Sequence, residues 1–212
     1  MMRVTVAVVA KECVPGRVKT RLTPQLSPVE AARLAQASLD DTLDLVRALP
    51  AGRRILFFSG QAPPSAVGVE VMEQPEGALD VRLGHLFDAV TGSLLLIGMD
   101  TPQLTAEAVA GPVLSWPDSV DAWFGPAADG GYWALAMREP DGGLIRGVTM
   151  SAPETGREQR RRLVDAGLRV RDLETLRDVD HVEDAGAVAV DAPDGRFASV
   201  WHRIRQEVPR VG

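Results

Sequence analysis

The feature that most constrains the fold of this chain is an alternation of short apolar runs with helical patterns. Residues 4–10 (VTVAVVA) are apolar and β-branched almost throughout, which is typical of a strand covered on both faces. Comparable runs follow at 55–59 and 94–99, with helical periodicity between them. Because alternating strands and helices favour parallel strands with right-handed crossovers, we predict an α/β fold with helices on both faces of the sheet. Ligands of such folds bind beyond the carboxyl ends of the strands.

The remaining elements are predicted from shorter patterns. Ser27 has the features of a helix N-cap, because Pro28 fits the first turn and Glu30 stands at the capping-box spacing. Further helices are predicted at 79–90, 105–114 and 154–166, a tail helix at about 196–208, and further strands at 69–72, 120–124, 132–137 and 168–173. The 212 residues fit a single domain whose core spans about 3–190.

Charge and cysteine content narrow the classes of partner and the compartment. The formal net charge of −6 argues against a nucleic-acid binder or an anionic-membrane binder, since both are normally basic. Cys13 is the only cysteine, which excludes an intrachain disulfide and any multi-cysteine metal site. No apolar stretch approaches the roughly 20 residues of a membrane-spanning helix. We therefore expect a cytoplasmic protein without nucleic-acid or membrane partners, and the sequence leaves its oligomeric state open.

The loop after the first strand, AKECVPGRVKTRL at 10–22, concentrates positive charge in an acidic protein. Gly16 lets backbone amides approach a ligand closely, and a mixture of lysine and arginine suits a polyphosphate. The basic residues of this loop are Lys11, Arg17, Lys19 and Arg21. The alternative is a solvated basic loop, but the position after a buried first strand favours a phosphate site. The Walker pattern GxxxxGK[ST] is absent, so this loop is not a P-loop.

A second candidate lies after the LLLIGM run, where Asp100 is followed by Thr101 and Pro102. A carboxylate directly after a buried strand is rigidly aimed, and Mg²⁺ prefers one or two such carboxylates together with phosphate oxygens. The alternative is that Asp100 caps the turn or the next helix. Thr105 is the better helix cap, so we interpret Asp100 as a metal ligand.

A third candidate is the segment GPAADGGYWALAM at 125–137. Asp-Gly is a strong hairpin signal, so a plain turn explains the segment as well as a functional site does. In the functional interpretation, Gly130 and Gly131 clear space for a substrate while Asp129 or Tyr132 contacts it.

A fourth candidate, LRDVDHVEDA at 176–185, crowds carboxylates together, which is costly unless cations or solvent relieve it. Asp178 or Asp180 is therefore a candidate second metal ligand beside Asp100. For Glu183 and Asp184 we prefer the alternative of a helix N-terminus with favourable acidic residues.

In combination and order, these segments resemble a known group of proteins. The motifs PG-VKTRL, IG-D-P-LT, GPA-DGGY and L-DVD--ED are similar to those of the bacterial glycosyltransferase-like family selenodomain-associated transferase 1. That family lies within the nucleotide-diphospho-sugar transferase superfamily, and a more distant resemblance is to molybdopterin and 2-phospholactate guanylyltransferases. The resemblance implies a GT-A fold, a Rossmann-like αβα sandwich with a mostly parallel mixed sheet. One departure is Gly77-Ala78-Leu79-Asp80, where the family usually has Gly-Asp-Leu-Gly before an arginine, here Arg82.

The resemblance also implies roles for individual residues. Lys19 and Arg21 would hold nucleotide phosphates with support from Lys11 and Arg82, and Asp100 would bind Mg²⁺ or Mn²⁺. Asp178 and Asp180 match the late acidic motif, and the acceptor-side turn is matched by Gly130, Gly131 and Tyr132.

Three functions follow as hypotheses. In nucleotidyl transfer, a nucleoside triphosphate lies over the 11–21 loop and a small phosphorylated acceptor attacks it. In glycosyl transfer, the metal holds the diphosphate of a nucleotide sugar and Asp129 serves as base if the reaction inverts. The third hypothesis is a non-catalytic nucleotide-binding or scaffold protein on the same fold, which the altered turn at 77–80 motivates. The number of cations in the loop favours the first hypothesis.

Overall fold

The computed structural model describes residues 4–23 and 25–207, which form one mixed sheet covered by helices on both faces. The strands are β1 (Thr5–Lys11), β2 (Arg53–Ser59), β3 (Glu70–Glu73), β4 (Leu94–Gly98), β5 (Ala122–Pro126), β6 (Tyr132–Met137) and β7 (Val170–Asp172). The α-helices are α1 (Pro28–Ala48), α2 (Leu79–Ala89), α3 (Ala110–Leu114), α4 (Thr155–Asp165), α5 (Val182–Asp191) and α6 (Arg196–Glu207).

The strand order in the sheet is β3-β2-β1-β4-β6-β5-β7. Neighbouring strands are parallel except at β6, which runs antiparallel to both β4 and β5. The central strand β1 pairs with β2 and β4, and apolar clusters on both faces of the sheet bury most of its side chains, as a continuous apolar run requires. The predicted mostly parallel mixed sheet is confirmed.

The side chains of the central strands alternate between two apolar layers. Val6 and Val8 of β1 face the layer that contains the inner face of α1, whereas Ala7 faces the layer that contains α2 and Leu163 of α4. Helices α5 and α6 pack against a different face of α1, where Phe197 and Trp201 contribute to a separate apolar cluster. The carboxyl ends of β1 and β4 therefore open between the two helical layers.

Helix α1 begins as its sequence predicts. The Oγ of Ser27 accepts a hydrogen bond from the backbone N–H of Glu30, and the Glu30 carboxylate accepts one from the N–H of Ser27 at 2.7 Å. This reciprocal pair is the predicted capping box. On the next turns of the helix, the buried Ser38 hydroxyl donates to the Met99 carbonyl at 2.6 Å, which fixes the helix against the end of β4.

Two predicted boundaries need comment. The sequence predicts that Thr105 caps a helix up to Leu114, but its Oγ1 accepts a hydrogen bond from the N–H of Ala108 within a turn, and the helix begins only at Ala110. The tail helix was expected to reach residue 208, which lies outside the described residues, as does the predicted start of the core at residue 3. None of the helices in the described ranges is long and apolar enough to span a membrane.

Replacing Ser27 by alanine removes one half of the capping box. We expect the free energy of unfolding to fall by about 1 kcal/mol, because a backbone N–H in the first turn loses its acceptor. Urea denaturation measures this change. The matched control is Ser199→Ala on the exposed face of α6, where Oγ donates only to the Gly195 carbonyl; this change should stay within about 0.5 kcal/mol. An equal effect of the two substitutions would contradict the capping interpretation.

Candidate active site

The carboxyl ends of β1 and β4 and the start of β6 border a cleft of about 650 Å³. Its polar wall combines cations and carboxylates from distant parts of the sequence: Lys11, Lys19, Arg21, Arg82, Asp100, Asp129, Asp178 and Asp180. The sequence predicted all of these residues as site residues, and the fold brings them to one cleft. The location agrees with the rule that α/β folds bind ligands beyond the carboxyl ends of their strands.

Lys19 links three segments of the polar wall. Its backbone is left-handed, with φ 48°, and its side chain is only 8% exposed. The ammonium Nζ lies 2.8 Å from Oδ1 of Asp100 and 3.3 Å from Oδ1 of Asp180. The guanidinium of Arg21, which is more exposed, pairs with the other oxygen of Asp180. The basic loop after β1 is therefore tied to the ends of two other segments of the chain.

The charges in this cluster shift one another's protonation equilibria. Burial alone lowers the pKa of Lys19, but the carboxylates of Asp100 and Asp180 outweigh it and hold the pKa above its ordinary value. Burial raises the pKa of Asp180, and Lys19 and Arg21 together reverse that effect and lower it. Both groups therefore remain charged at neutral pH.

The acidic segment after β7 is held in place mainly by backbone hydrogen bonds. The N–H of Val179 donates to the Asp100 carbonyl at 3.0 Å, and the N–H of Ala128 donates to the Leu176 carbonyl at 2.9 Å. Asp184 accepts from the N–H of His181 at 2.8 Å and caps α5, as predicted for this part of the segment. Asp178 and Asp180 are thus fixed between the Asp100 loop and the β5–β6 turn.

Asp129, Asp178 and Asp180 form the one group of three carboxylates with metal-binding geometry among residues 4–23 and 25–207. Their oxygens lie within 4.8 Å of one another. Oxygen donors of this kind fit a hard divalent cation such as Mg²⁺ or Mn²⁺. The prediction grouped Asp178 and Asp180 with Asp100 as metal ligands and gave Asp129 a separate role. In the structure, Asp129 joins the other two, while Asp100 pairs with the Lys19 ammonium.

Asp178 carries the electrostatic cost of this crowding. Burial raises its pKa first, and the neighbouring carboxylates of Asp129 and Asp180 raise it further, to about 6. A divalent cation bound at this point would offset the repulsion and the loss of hydration of the Asp178 carboxylate.

The GPAADGG segment is both a turn and part of the cleft, so the two interpretations of its sequence are compatible. Asp129 accepts a hydrogen bond from the N–H of Gly131 at 2.7 Å. Gly130 has φ 92°, and a Cβ there would overlap the carbonyl oxygen of Pro153. Tyr132 begins β6 beside the cleft, its ring 5.6 Å from that of Phe124, and burial raises the pKa of its hydroxyl. Gly130 is therefore required where the turn meets the loop before α4.

Other predicted residues lie elsewhere. Gly16 has φ 78° with open space around it, and Gly16 and Arg17 occupy an exposed part of the loop that does not line the cleft. Their predicted contact with phosphate stays a prediction, and it would require the phosphate to extend beyond the cleft towards this part of the loop. Lys11 is exposed at the end of β1 and does line the cleft.

Several cleft residues were missed by the sequence interpretation. Gln74 follows β3 and accepts a hydrogen bond from Arg82, yet an isolated glutamine has no sequence signature. Ser151 lines the cleft with a strained φ of 59°, and Thr101 lines it with a buried hydroxyl that has no partner among the described residues. The position of Thr101 directly after Asp100 is the one signal that could have indicated its placement.

Comparison with protein families places part of this chain in a known group. The family described as "Uncharacterized protein conserved in bacteria (DUF2064)" matches residues 42–152, just over half of the chain. No curated protein matches the sequence.

Solved structures show where else this fold occurs. A Desulfovibrio desulfuricans G20 protein provisionally described as a nucleotide-diphospho-sugar transferase has a TM-score of 0.85 at 23% identity, over 97% of this chain and 98% of that one. The inositol-1-phosphate CTP transferase of T. maritima has a TM-score of 0.52 at 13% identity, over 98% of each chain. Glucosyl-3-phosphoglycerate synthase of Mycobacterium tuberculosis, in complex with Mn²⁺, UDP and glucosyl-3-phosphoglycerate, has a TM-score of 0.52 at 13% identity, over 95% of this chain and 80% of that one. At these identities the likeness establishes a shared fold, which confirms the predicted GT-A type.

Gly130→Ala tests the contact between the turn and the loop before α4. We expect the free energy of unfolding to fall by at least about 2 kcal/mol, because the substitution combines a left-handed backbone with steric overlap. The matched control is Gly167→Ala, where φ is 83° and nothing lies within 4 Å of an added Cβ. That control measures backbone strain alone, which should lower the free energy of unfolding by about 1 kcal/mol. Denaturant unfolding of both variants gives the comparison, and equal losses would rule out the steric contact.

The raised pKa of Asp178 predicts a pH-dependent loss of stability in metal-free protein. A carboxyl whose folded pKa exceeds its unfolded value binds its proton more tightly in the native state, so stability falls as pH rises from about 4 to about 7. Asp178→Asn should remove this loss and raise stability at pH 7.5 by on the order of 1 kcal/mol after solvent screening, with little change at pH 4. Thermal unfolding of wild type and Asp178→Asn at both pH values, in the presence of a chelator, measures this stability difference.

The control is Asp165→Asn, at an exposed position on α4, which should change stability little at either pH. If Asp178→Asn gained the same stability at pH 4 as at pH 7.5, the electrostatic cause would be contradicted.

Proposed function

The chain belongs to the bacterial protein family DUF2064, and from its cleft we propose that it is a single-domain, metal-dependent nucleotidyltransferase. The proposed reaction transfers a nucleotidyl group from a nucleoside triphosphate to a small phosphorylated acceptor. The narrower grouping with selenodomain-associated transferase 1, based on the sequence motifs, is part of the same proposal. So are the roles given to individual cleft residues.

The observation that carries the proposal is the direct contact, in one cleft, between the buried Lys19 ammonium, the exposed Arg21 guanidinium and a cluster of three carboxylates. The Lys19 ammonium and the Arg21 guanidinium lie against Asp180, whose carboxylate is also within metal-sharing distance of Asp129 and Asp178. A polyphosphate needs cations on one side and a divalent metal on the other, and this cleft offers the cations together with carboxylates placed to hold such a metal. Lys11 adds a third cation along the cleft, and three cations suit a triphosphate better than a diphosphate.

In the proposed reaction, an acceptor phosphate oxygen attacks the α-phosphorus of the triphosphate in line. The new P–O bond forms as the α–β bridging P–O bond breaks, and its electron pair leaves with pyrophosphate. Bound Mg²⁺ or Mn²⁺ supplies charge neutralisation of the phosphate oxygens. Lys19 and Arg21 hold the phosphates and Asp100 orients Lys19, so catalysis consists of positioning and charge stabilisation.

Glycosyl transfer is the second candidate, and the placement of Asp129 favours it. Asp129 lies on the turn at the start of β6, where an acceptor hydroxyl could approach, and a fold neighbour binds Mn²⁺ together with UDP. Two contacts argue against Asp129 as a free base. Its carboxylate accepts a hydrogen bond from the N–H of Gly131, and it belongs to the same cluster of carboxylates as Asp178. We therefore assign Asp129 to the metal side of the cleft.

A non-catalytic scaffold is the weakest of the three hypotheses. It was motivated by the altered turn at 77–80, and in the structure Asp80 of that turn accepts a hydrogen bond from the N–H of Gly147 at 2.7 Å. The altered residue therefore has a structural partner, and the cleft beside it keeps its charged groups.

A thermal-shift screen distinguishes the three functions. Purified protein is tested with nucleoside triphosphates and nucleotide sugars, each with and without Mg²⁺ or Mn²⁺, because a ligand of the native state raises Tm by mass action. We expect a metal-dependent shift with one triphosphate. A shift with nucleotide sugars alone would replace the proposal by glycosyl transfer, and no shift with any nucleotide would favour the scaffold.

Lys19→Ala and Arg21→Ala test the phosphate-binding roles directly. We expect each to lower turnover by on the order of 10²-fold or more, because each removes a charge placed where the phosphates are expected to bind. Pyrophosphate release with the triphosphate identified by the screen measures the rate. The control is Arg161→Ala, whose guanidinium is 70% exposed on α4, and it should retain the wild-type rate. Near-wild-type rates in both cleft variants would refute the assignment.

A further inference from the structure

We propose that Arg82, held by Gln74, is the residue that selects the acceptor, and that the acceptor is a small organic anion with an apolar carbon body. The inference rests on the proposed function, because it divides the cleft into a triphosphate part around Lys19 and an acceptor part around Arg82. The anionic head held by Arg82 would be either the attacking phosphate of that acceptor or a carboxylate carried on the same phosphorylated molecule.

Gln74 fixes Arg82 from the end of the sheet. Its Nε2 donates to the carbonyl of Ala10 at 2.9 Å and to that of Phe57 at 2.9 Å, so both amide hydrogens are used. Its Oε1 is therefore oriented outward and accepts from Nη1 of Arg82 at 2.7 Å. An amide whose two N–H donors both bind backbone carbonyls has one orientation. The hydrogen bond from Arg82 to this fixed amide oxygen therefore holds the guanidinium in place at the cleft wall.

The Arg82 guanidinium lacks a counter-charge within the described part of the chain. No carboxylate within 4 Å pairs with it among the residues that the structure describes, and its buried Nε has no hydrogen-bond partner there either. By contrast, Lys19 and Arg21 both have carboxylate partners. Arg82 is partly buried, and its buried, unused Nε–H donor is costly unless a ligand supplies an acceptor. A guanidinium binds phosphate or carboxylate through paired N–H groups, so an anion would satisfy both the donor and the charge. A neutral nucleobase oxygen would satisfy the hydrogen bond but leave the charge unpaired.

Apolar side chains line the cleft on the α2 side of the sheet, the side from which Arg82 enters it. Val9 lies in the central strand yet is partly exposed, because its register partner Gly98 has no side chain and a Cβ there would meet only the Trp133 carbonyl oxygen, at 3.7 Å. The other apolar lining residues of this face are Leu79, Leu83, Leu96 and Met150. A sugar with many hydroxyls would leave polar groups unpaired on this floor. A short hydrocarbon body fits it, and each buried CH₂ is expected to strengthen binding about fourfold.

The experiment uses n-butyl phosphate, pentanoate, glycerol 3-phosphate and inorganic phosphate as probes of the wild-type protein by calorimetric titration. We expect n-butyl phosphate or pentanoate to bind at least about tenfold more tightly than glycerol 3-phosphate and inorganic phosphate. Which of the two binds more tightly identifies the head group. Failure of the wild type to bind either one, or tighter binding of glycerol 3-phosphate, would overturn the inference.

Variants then assign the residues. Arg82→Gln should lower the affinity for the preferred probe about tenfold or more and leave the affinity for the triphosphate unchanged. Lys19→Ala should lower the affinity for the triphosphate and leave that for the probe unchanged. Arg82→Lys keeps the charge but loses the paired N–H groups and should fall between wild type and Arg82→Gln. Gln74→Met tests the positioning role: probe affinity should fall while triphosphate affinity and Tm stay close to wild type. A loss of triphosphate affinity in Arg82→Gln would reassign Arg82 to the nucleotide.

The same titrations separate this inference from the proposed function. If wild-type protein binds no triphosphate but still binds the preferred probe through Arg82, nucleotidyl transfer is wrong and the anion site stands. If triphosphate binds and the probe affinity is unaffected by Arg82→Gln, the proposed function stands and the acceptor inference is wrong.

Discussion

The interaction on which the arrangement of this cleft depends is the buried ammonium of Lys19 between Asp100 and Asp180. These three residues come from three segments of the chain that share no local structure. A buried ion pair needs good geometry and further hydrogen bonds to offset the loss of hydration. The left-handed backbone of Lys19 and the Val179–Asp100 backbone hydrogen bond provide that geometry. The ends of β1 and β4 and the segment before α5 are thereby locked together around one charge.

Much of the fold could be predicted from the sequence because the sheet is buried on both sides. The apolar runs of β1, β2 and β4 have no other stable placement, and the Ser27 capping box is a local pattern that depends on nothing distant. Thr105 shows the limit of such patterns, since its side chain caps a turn as well as it would cap a helix, and α3 begins later. The antiparallel direction of β6 is set by its pairing with β4, which is distant in sequence, so no local sequence pattern predicts it.

The sequence predicted the charged residues that line the cleft, but it did not predict which of them contact one another. Motif order identified Lys19, Asp100 and Asp180, since each follows a recognisable element. The grouping of Asp129 with Asp178 depends on the strand order, which places the turn before β6 against the segment after β7. Gln74 was missed because its role arises from backbone carbonyls that only the folded sheet brings within reach.

The antiparallel direction of β6 has a consequence for how such a chain can diversify. A strand running with its neighbours would send its starting turn to the far end of the sheet, but β6 starts where β4 ends, so the turn containing Asp129 and Gly130 reaches the cleft directly. That turn contacts the loop at Pro153 through Gly130, and its Asp129 belongs to the carboxylate cluster that Lys19 and Arg21 reach through Asp180. Changes in the turn that leave Asp129 in place can therefore remodel one wall of the cleft alone, whereas a change at Asp129 also alters the surroundings of the basic loop on the opposite wall.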